Sequence, residues 1–162
     1  MNLIRPSRNF LSWFDRGVGN WVSHRRYLYF SHPSQDPASQ GIRTEFTMGK
    51  KRTREYFVSW ESTNADGSPA TSGTMNFTVE GNIFTGHRII RDRSYFEESQ
   101  SVTRLQYIDK DTVAFFSAYG GNHYREEIRF LSGDDIRLRQ TVGFSDRDMK
   151  HRLCGQYMEV RS

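Results

Sequence analysis

An all-β, antiparallel up-and-down barrel of about ten strands behind one N-terminal helix is the fold that three features of the chain predict. Apolar residues switch from helical spacing to alternation at residue 20, turn-forming clusters recur through the remainder, and nearly every link is short enough for a hairpin. A barrel leaves no sheet edge exposed, and one of about eight to ten strands is wide enough to hold a ligand between its walls. A sandwich would need a few long crossovers, which these links do not supply.

The elements follow in order. Residues 8 to 17 set Phe10, Trp13 and Phe14 at helical spacing, with Ser7 or Asn9 to cap the start and Gly17 and Gly19 to end it. From Asn20 the period is two. The predicted strands are 20 to 30, 41 to 48, 53 to 61, 71 to 79, 82 to 90, 94 to 108 with room for a bulge, 112 to 119, 123 to 131, 136 to 144 and 149 to 161. Between them lie clusters such as His32 to Pro37, Asn64 to Pro69, Glu80-Gly81-Asn82, Asp109-Lys110-Asp111, Gly120-Gly121-Asn122, Gly133-Asp134-Asp135 and Ser145 to Asp148. Residues 1–162 form one domain in this reading, with 1–19 as the helical segment and 20–162 as the barrel.

Composition narrows the class. Of 162 residues 35% are hydrophobic, but 14% are aromatic, and large rings bury enough surface to build a core from a modest apolar fraction. One Cys permits no internal disulfide, and Cys154, beside Leu153 in the last strand, reads as a small buried side chain. No run approaches the ~18 apolar residues of a membrane span, and MNLIRPSRNF lacks the pattern of a secretory signal. These features lead to the expectation of a soluble protein in a reducing compartment.

The formal charge of +4 is scattered among acidic residues, which argues against a nucleic-acid tail. The cluster of Lys50, Lys51, Arg52 and Arg54 reads as a solvated turn. Arg far outnumbers Lys, and a planar guanidinium grips carboxylates through paired hydrogen bonds that an ammonium cannot form. Phosphate-loop, dinucleotide, nucleophile-elbow and zinc-protease motifs are absent, and the five histidines lack ligand spacing, so no metal site is expected.

Two strands carry chemistry. In Ile136 to Val142, alternation puts Arg137, Arg139 and Thr141 on one face and Ile136, Leu138 and Val142 on the other, with the two guanidiniums about 7 Å apart. Periodicity alone points the arginines to water and the aliphatic residues to the core, whereas a barrel holding a carboxylate ligand reverses that. The preceding strand offers Glu126 and Glu127 on opposite faces. A loop of 132 to 135 pairs Glu126 with Thr141 and a loop one residue shorter pairs Glu127 with it, a choice the sequence leaves open. The first strand gathers Trp21, Ser23, Arg25, Tyr27 and Tyr29 on one face, a combination suited to a pocket wall.

Taken together, these segments resemble the S-type phycobiliprotein lyases, which attach linear tetrapyrroles (bilins) to cysteines of light-harvesting proteins. The resemblance rests on the aromatic helix leading into Gly19-Asn20-Trp21-Val22-Ser23-His24-Arg25, on Val58-Ser59-Trp60, and on Gly73-Thr74-Met75-Asn76-Phe77. It continues through Glu126-Glu127 followed by Arg137-Leu138-Arg139 and ends in Met158-Glu159-Val160-Arg161. It implies a barrel of lipocalin and fatty-acid-binding-protein type. It also implies that Arg137 and Arg139 clamp the bilin propionates with help from Arg25, and that Trp21, Met75, Phe77 and Thr141 belong to the chromophore pocket. Glu127 and Glu159 would act on the pyrrole nitrogens as catalytic carboxyl groups. The chain differs from the family at Tyr27-Leu28-Tyr29, where a histidine-bearing segment is usual, and at Phe77 and Phe130, where tryptophans are usual.

What the resemblance implies is therefore a lyase with no prosthetic group. Its substrate would be phycoerythrobilin or phycocyanobilin, and its acceptor the α or β subunit of a phycobiliprotein, with no role for nucleic acid or membrane insertion. The site of action would be the cyanobacterial cytoplasm or an algal plastid stroma. Homodimer formation, and which bilin is used, are left open. The competing readings are a non-catalytic bilin, haem or fatty-acid carrier on the same barrel and, in another class, a nucleic-acid-binding barrel.

Overall fold

The computed structural model describes residues 6–30, 38–82, 86–93, 100–131 and 133–162. Helix α1 (Pro6–Arg16) precedes ten strands: β1 (Gly19–Tyr29), β2 (Ala38–Arg52), β3 (Glu55–Asn64), β4 (Pro69–Asn82), β5 (Gly86–Arg91), β6 (Ser101–Tyr107), β7 (Thr112–Tyr119), β8 (Asn122–Phe130), β9 (Ile136–Ser145) and β10 (His151–Arg161). All neighbours pair antiparallel in chain order, and β1 closes the ring against both β2 and β10. The predicted barrel and its helix are both present.

The departures from the predicted strands have physical causes. Glu80 to Asn82 does not turn but extends β4, because Gly81 runs past Gly86 so closely that a Cβ would lie 1.9 Å from its carbonyl oxygen. The predicted strand over 94 to 108 is β6 from Ser101 onward; residues 94–99, like the turn over 32–37, lie outside the described residues. Lys50, Lys51 and Arg52 stand within β2 rather than in a solvated turn, and Lys50 Nζ sits 2.8 Å from Asp15 Oδ1 of α1. Cys154 is half-buried on the outer face, level with Leu28 and Val142.

Helix α1 seals one end of the barrel. Phe10, Trp13 and Phe14 occupy one face of the helix, as their spacing predicts, and all three are buried in the aromatic core with Tyr56, Phe77, Phe115 and Phe130. Polar contacts fasten the helix around the rim. Tyr56 donates to Asp15 (2.7 Å), Arg16 reaches Asp111 (2.8 Å) and Asp134 (2.6 Å), and Trp13 Nε1 donates to the Asp111 carbonyl (2.9 Å). Arg161 closes the C-terminal end by donating to the carbonyls of Arg16 and Val18, each at 2.8 Å, which complements the helix dipole there.

The interior has two unlike walls. Strands β2 to β5 turn Phe46, Met48, Val58, Trp60, Met75, Phe77 and Ile89 inward. Gly73 faces Trp60 across the β3–β4 ladder, and a Cβ there would stand 2.8 Å from the indole, so the glycine of the Gly-Thr-Met segment makes room for that ring. Strands β1, β8, β9 and β10 instead turn Ser23, Arg25, Glu126, Arg137, Arg139, Thr141, Tyr157 and Glu159 inward. The simple periodicity reading of β9 is thereby reversed: Arg137 is 5% exposed, whereas Ile136 and Leu138 are 37% and 44% exposed on the outer surface.

Candidate chromophore-binding site

A cavity of about 70 Å³ lies between the two walls. Its lining takes Trp13 and Phe14 from α1, the apolar side chains of β2 to β5, and the charged groups Arg25, Arg91, Glu126, Arg137 and Arg139.

Register decides which acid enters. Glu126 pairs with Thr141 and Phe130 with Arg137, the arrangement of the longer loop, so Glu126 points inward and Glu127 outward. Glu127 bonds Arg125 (3.1 Å) on the outer surface. The expectation that Glu127 acts within the pocket is thus corrected, and Glu126 is the carboxylate present there. Its Oε2 lies 2.7 Å from Arg139 and accepts from Thr141 Oγ1 at 2.9 Å.

Each inward carboxylate joins a hydroxyl to an arginine, and Glu159 reaches a second arginine as well. Tyr157 OH donates to Thr141 (3.2 Å), which donates to Glu126; burial raises the tyrosine pKa far above its ordinary 10.0 and keeps it a donor. In parallel, Arg25 Nε donates to Ser23 Oγ (3.0 Å), and Ser23 donates to Glu159 Oε1 (3.2 Å). Glu159 accepts from Arg137 Nε and lies 3.8 Å from Arg139. Burial of Glu159 is complete and by itself raises its pKa, but Arg137, Arg139 and Arg25, with the Arg137 hydrogen bond, bring it below the ordinary 4.5. Glu159 is therefore an ionised anchor that does not line the cavity, and its position suits fixing the arginines better than protonating a pigment.

The remaining predicted residues divide by depth. Arg137 and Arg139 both line the cavity, as do Met75, Phe77 and Arg25, while Trp21 and Thr141 lie behind it. Trp21 is fully buried with the guanidinium of Arg137 4.7 Å from its ring centroid and that of Arg161 4.5 Å away, and its Nε1 donates to the Gly17 carbonyl (2.9 Å). Arg137 also lies over Phe46 (5.2 Å) and Phe130 (5.9 Å). Thr141 acts through Glu126. The cavity residues that the sequence reading did not assign to the site include Glu126, Arg91, Trp60 and Ile89, beside the helix residues Trp13 and Phe14. For Glu126 the signal was present in the alternation of β8 but needed the loop length; Arg91 fell one residue beyond the predicted end of its strand.

Among the described residues no three His, Cys, Asp or Glu side chains gather as a metal site, and no helix is long and apolar enough to cross a membrane.

Known proteins share this architecture and sequence. The structure superposes on the S-type phycobiliprotein lyase CPES from Guillardia theta with a TM-score of 0.71 at 15% identity, covering 94% of this chain and 92% of that one. Rv2717c from M. tuberculosis matches with a TM-score of 0.58 at 11% identity, over 94% of this chain and 96% of that one. These two comparisons concern the fold. In sequence, the candidate chromophore lyase CpcV of Picosynechococcus sp. is 27% identical, covering 99% of this chain and 86% of the relative. The candidate phycocyanobilin lyase CpcS 2 of Nostoc sp. is 24% identical, covering 93% and 89%. Residues 33–162 match the family described as CpeS-like protein, and with most of its length inside that match the chain belongs to the CpeS-like family, that of the S-type chromophore lyases.

Proposed function

We propose that this lyase binds a linear tetrapyrrole, phycoerythrobilin or phycocyanobilin, without a covalent bond and directs its attachment to a cysteine of a phycobiliprotein α or β subunit. The observation that carries the reading is the organised guanidinium wall, with Arg139 held by Glu126 and Arg137 by Glu159 inside a closed barrel. Paired guanidinium bonds suit the propionates of a bilin, and the facing surface of Trp60, Met75, Phe77 and Ile89 suits its conjugated rings.

Positioning is the main catalytic contribution. The cavity of about 70 Å³ is well below the ~300–1,000 Å³ of ordinary ligand sites, so binding moves side chains apart. The Glu126–Arg139 contact is the natural one to open, since a ligand carboxylate replaces Glu126 on the guanidinium and leaves Glu126 to accept hydrogen bonds from pyrrole N–H groups. The partner supplies the nucleophile. Its thiolate forms the C–S bond at the exocyclic carbon of the bilin ethylidene group, and a proton adds to the adjoining ring carbon, so nothing leaves and no oxidant is required. The lyase supplies choice of site and face. It works in the cytoplasm, or in the plastid stroma of an alga.

Reconstitution tests this reading. The purified protein, each bilin and an apo-phycobiliprotein subunit are mixed, and pigment on the subunit is measured on a denaturing gel. Attachment accelerated and directed to one cysteine supports the lyase reading, whereas coloured protein beside an unmodified subunit identifies a carrier.

A further inference from the structure

The reversed alternation of β9 leaves an apolar face on the outside of the barrel that the bilin site does not use. Leu138 pairs with Met158 and Ile136 with Val160 in the β9–β10 ladder, and all four are exposed, Met158 to 49%. Contiguous exposed apolar side chains of this kind mark a surface that meets a partner.

Cations frame this face. One outward row crosses five strands through Arg129, Leu138, Met158, His24 and Arg43, each level with the next in the register. The two arginines stand four strand spacings apart, roughly 19 Å along the sheet. Arg26 lies in the next row on β1, level with Gln156. These side chains line an outer groove of about 1070 Å³ whose edge includes Asn64 and Gly67 of the β3–β4 turn. Strands β1 and β3 both run away from α1, so that turn stands at the rim opposite the helix. Among the described residues Glu127 is the one carboxylate lining the groove, and Arg125 holds it at 3.1 Å. Arg43 meets Glu45 at 2.6 Å and Arg129 lies 3.8 Å from Asp109, both on the surface, where such pairs exchange for a partner's carboxylate at little cost.

We propose that this groove docks the acceptor subunit, through a surface of that subunit that presents carboxylates around an apolar ridge. The proposal deepens the reading above by giving the acceptor a place on the barrel, and it rests on that reading. An apolar centre with a charged rim is how specific interfaces are built, the centre supplying affinity and the rim steering the encounter. A second copy of this chain fits less well, because it would set Arg26, Arg43 and Arg129 against the same three cations with only Glu127 to answer them. The position also suits delivery, since a subunit seated here lies against the rim that α1 does not close.

The test measures binding of a pigment-free phycobiliprotein subunit to wild type and to two double variants, at low and high salt, by biolayer interferometry. Arg26→Glu with Arg129→Glu should weaken binding roughly 10-fold or more at low salt and less at high salt, because ions screen the charges. Leu138→Ser with Met158→Ser should weaken it by a similar factor at both salts. All four side chains are exposed, so both variants should fold and keep wild-type bilin affinity in an absorbance titration. Wild-type subunit affinity in either double variant overturns the proposal. A wild-type dimer in sedimentation that both variants dissolve overturns it as well, and identifies the face as a contact between copies. The two readings fail separately. Wild type that binds the subunit through these residues but transfers no pigment removes the lyase reading and leaves the docking surface, whereas pigment transfer by both variants at the wild-type KM for the subunit removes the docking surface alone.

Discussion

The β2–β5 wall and the wall of β1, β8, β9 and β10 enclose one cavity on different physical terms. On the first, Phe46, Met48, Trp60, Met75, Phe77 and Ile89 are held by packing, so each contributes according to the apolar surface it covers. On the second, the inward groups depend on one another: Arg137 is oriented by Glu159, Arg139 by Glu126, and Glu126 by Thr141. The lesson is that loss of a methyl group on the packed wall stays local, whereas loss of one charge on the polar wall alters the state of its partners.

The largest expected effect follows from that dependence. Glu159→Ala leaves two buried guanidiniums without their shared anion and should cost about 3–5 kcal/mol of stability, read by urea unfolding. Acid approaches the same contact without a substitution. Because the folded pKa of Glu159 lies below its ordinary 4.5, its contribution is fully present above about that pH and is lost as pH falls through the folded value. A unfolding midpoint that does not decline below pH 4.5, beyond the change seen in Glu159→Gln, would show that the network is not held by this charge.

Arg139→Gln comes next, and should act on binding more than on folding. Its loss should weaken diacid bilin binding roughly 10- to 100-fold, from about 1.5–3 kcal/mol for a charge-assisted bond, measured by absorbance titration. On the packed wall, Ile89→Val should cost about 0.5–1.5 kcal/mol in urea unfolding and change pigment affinity far less. The smallest effect belongs to Glu127→Gln on the outer surface, within about 0.5 kcal/mol of wild type and with normal attachment kinetics. If Glu127→Gln abolished attachment while Glu126→Gln did not, the contrast between inner and outer carboxylates would fail.

Much of this fold was legible because barrels announce themselves by turns. Clusters such as Gly120-Gly121-Asn122 and Asp109-Lys110-Asp111 fall at strand ends, and Phe10, Trp13 and Phe14 mark the buried face of α1. The site was harder to read because its wall inverts the usual sense of alternation. In β9 the aliphatic residues face out and the arginines in, and neither arrangement changes the period. Glu126 and Glu127 were inseparable until the β8–β9 register was known, since a one-residue shift exchanges the faces. For Glu159 the residue was found but not its duty, because only three-dimensional proximity to Arg137, Arg139 and Ser23 makes it an anchor.

The aromatic stopper formed by α1 has a consequence for traffic. Trp13 and Phe14 close one end of the cavity, so on the function proposed above a ligand of the barrel has to pass elsewhere than through α1.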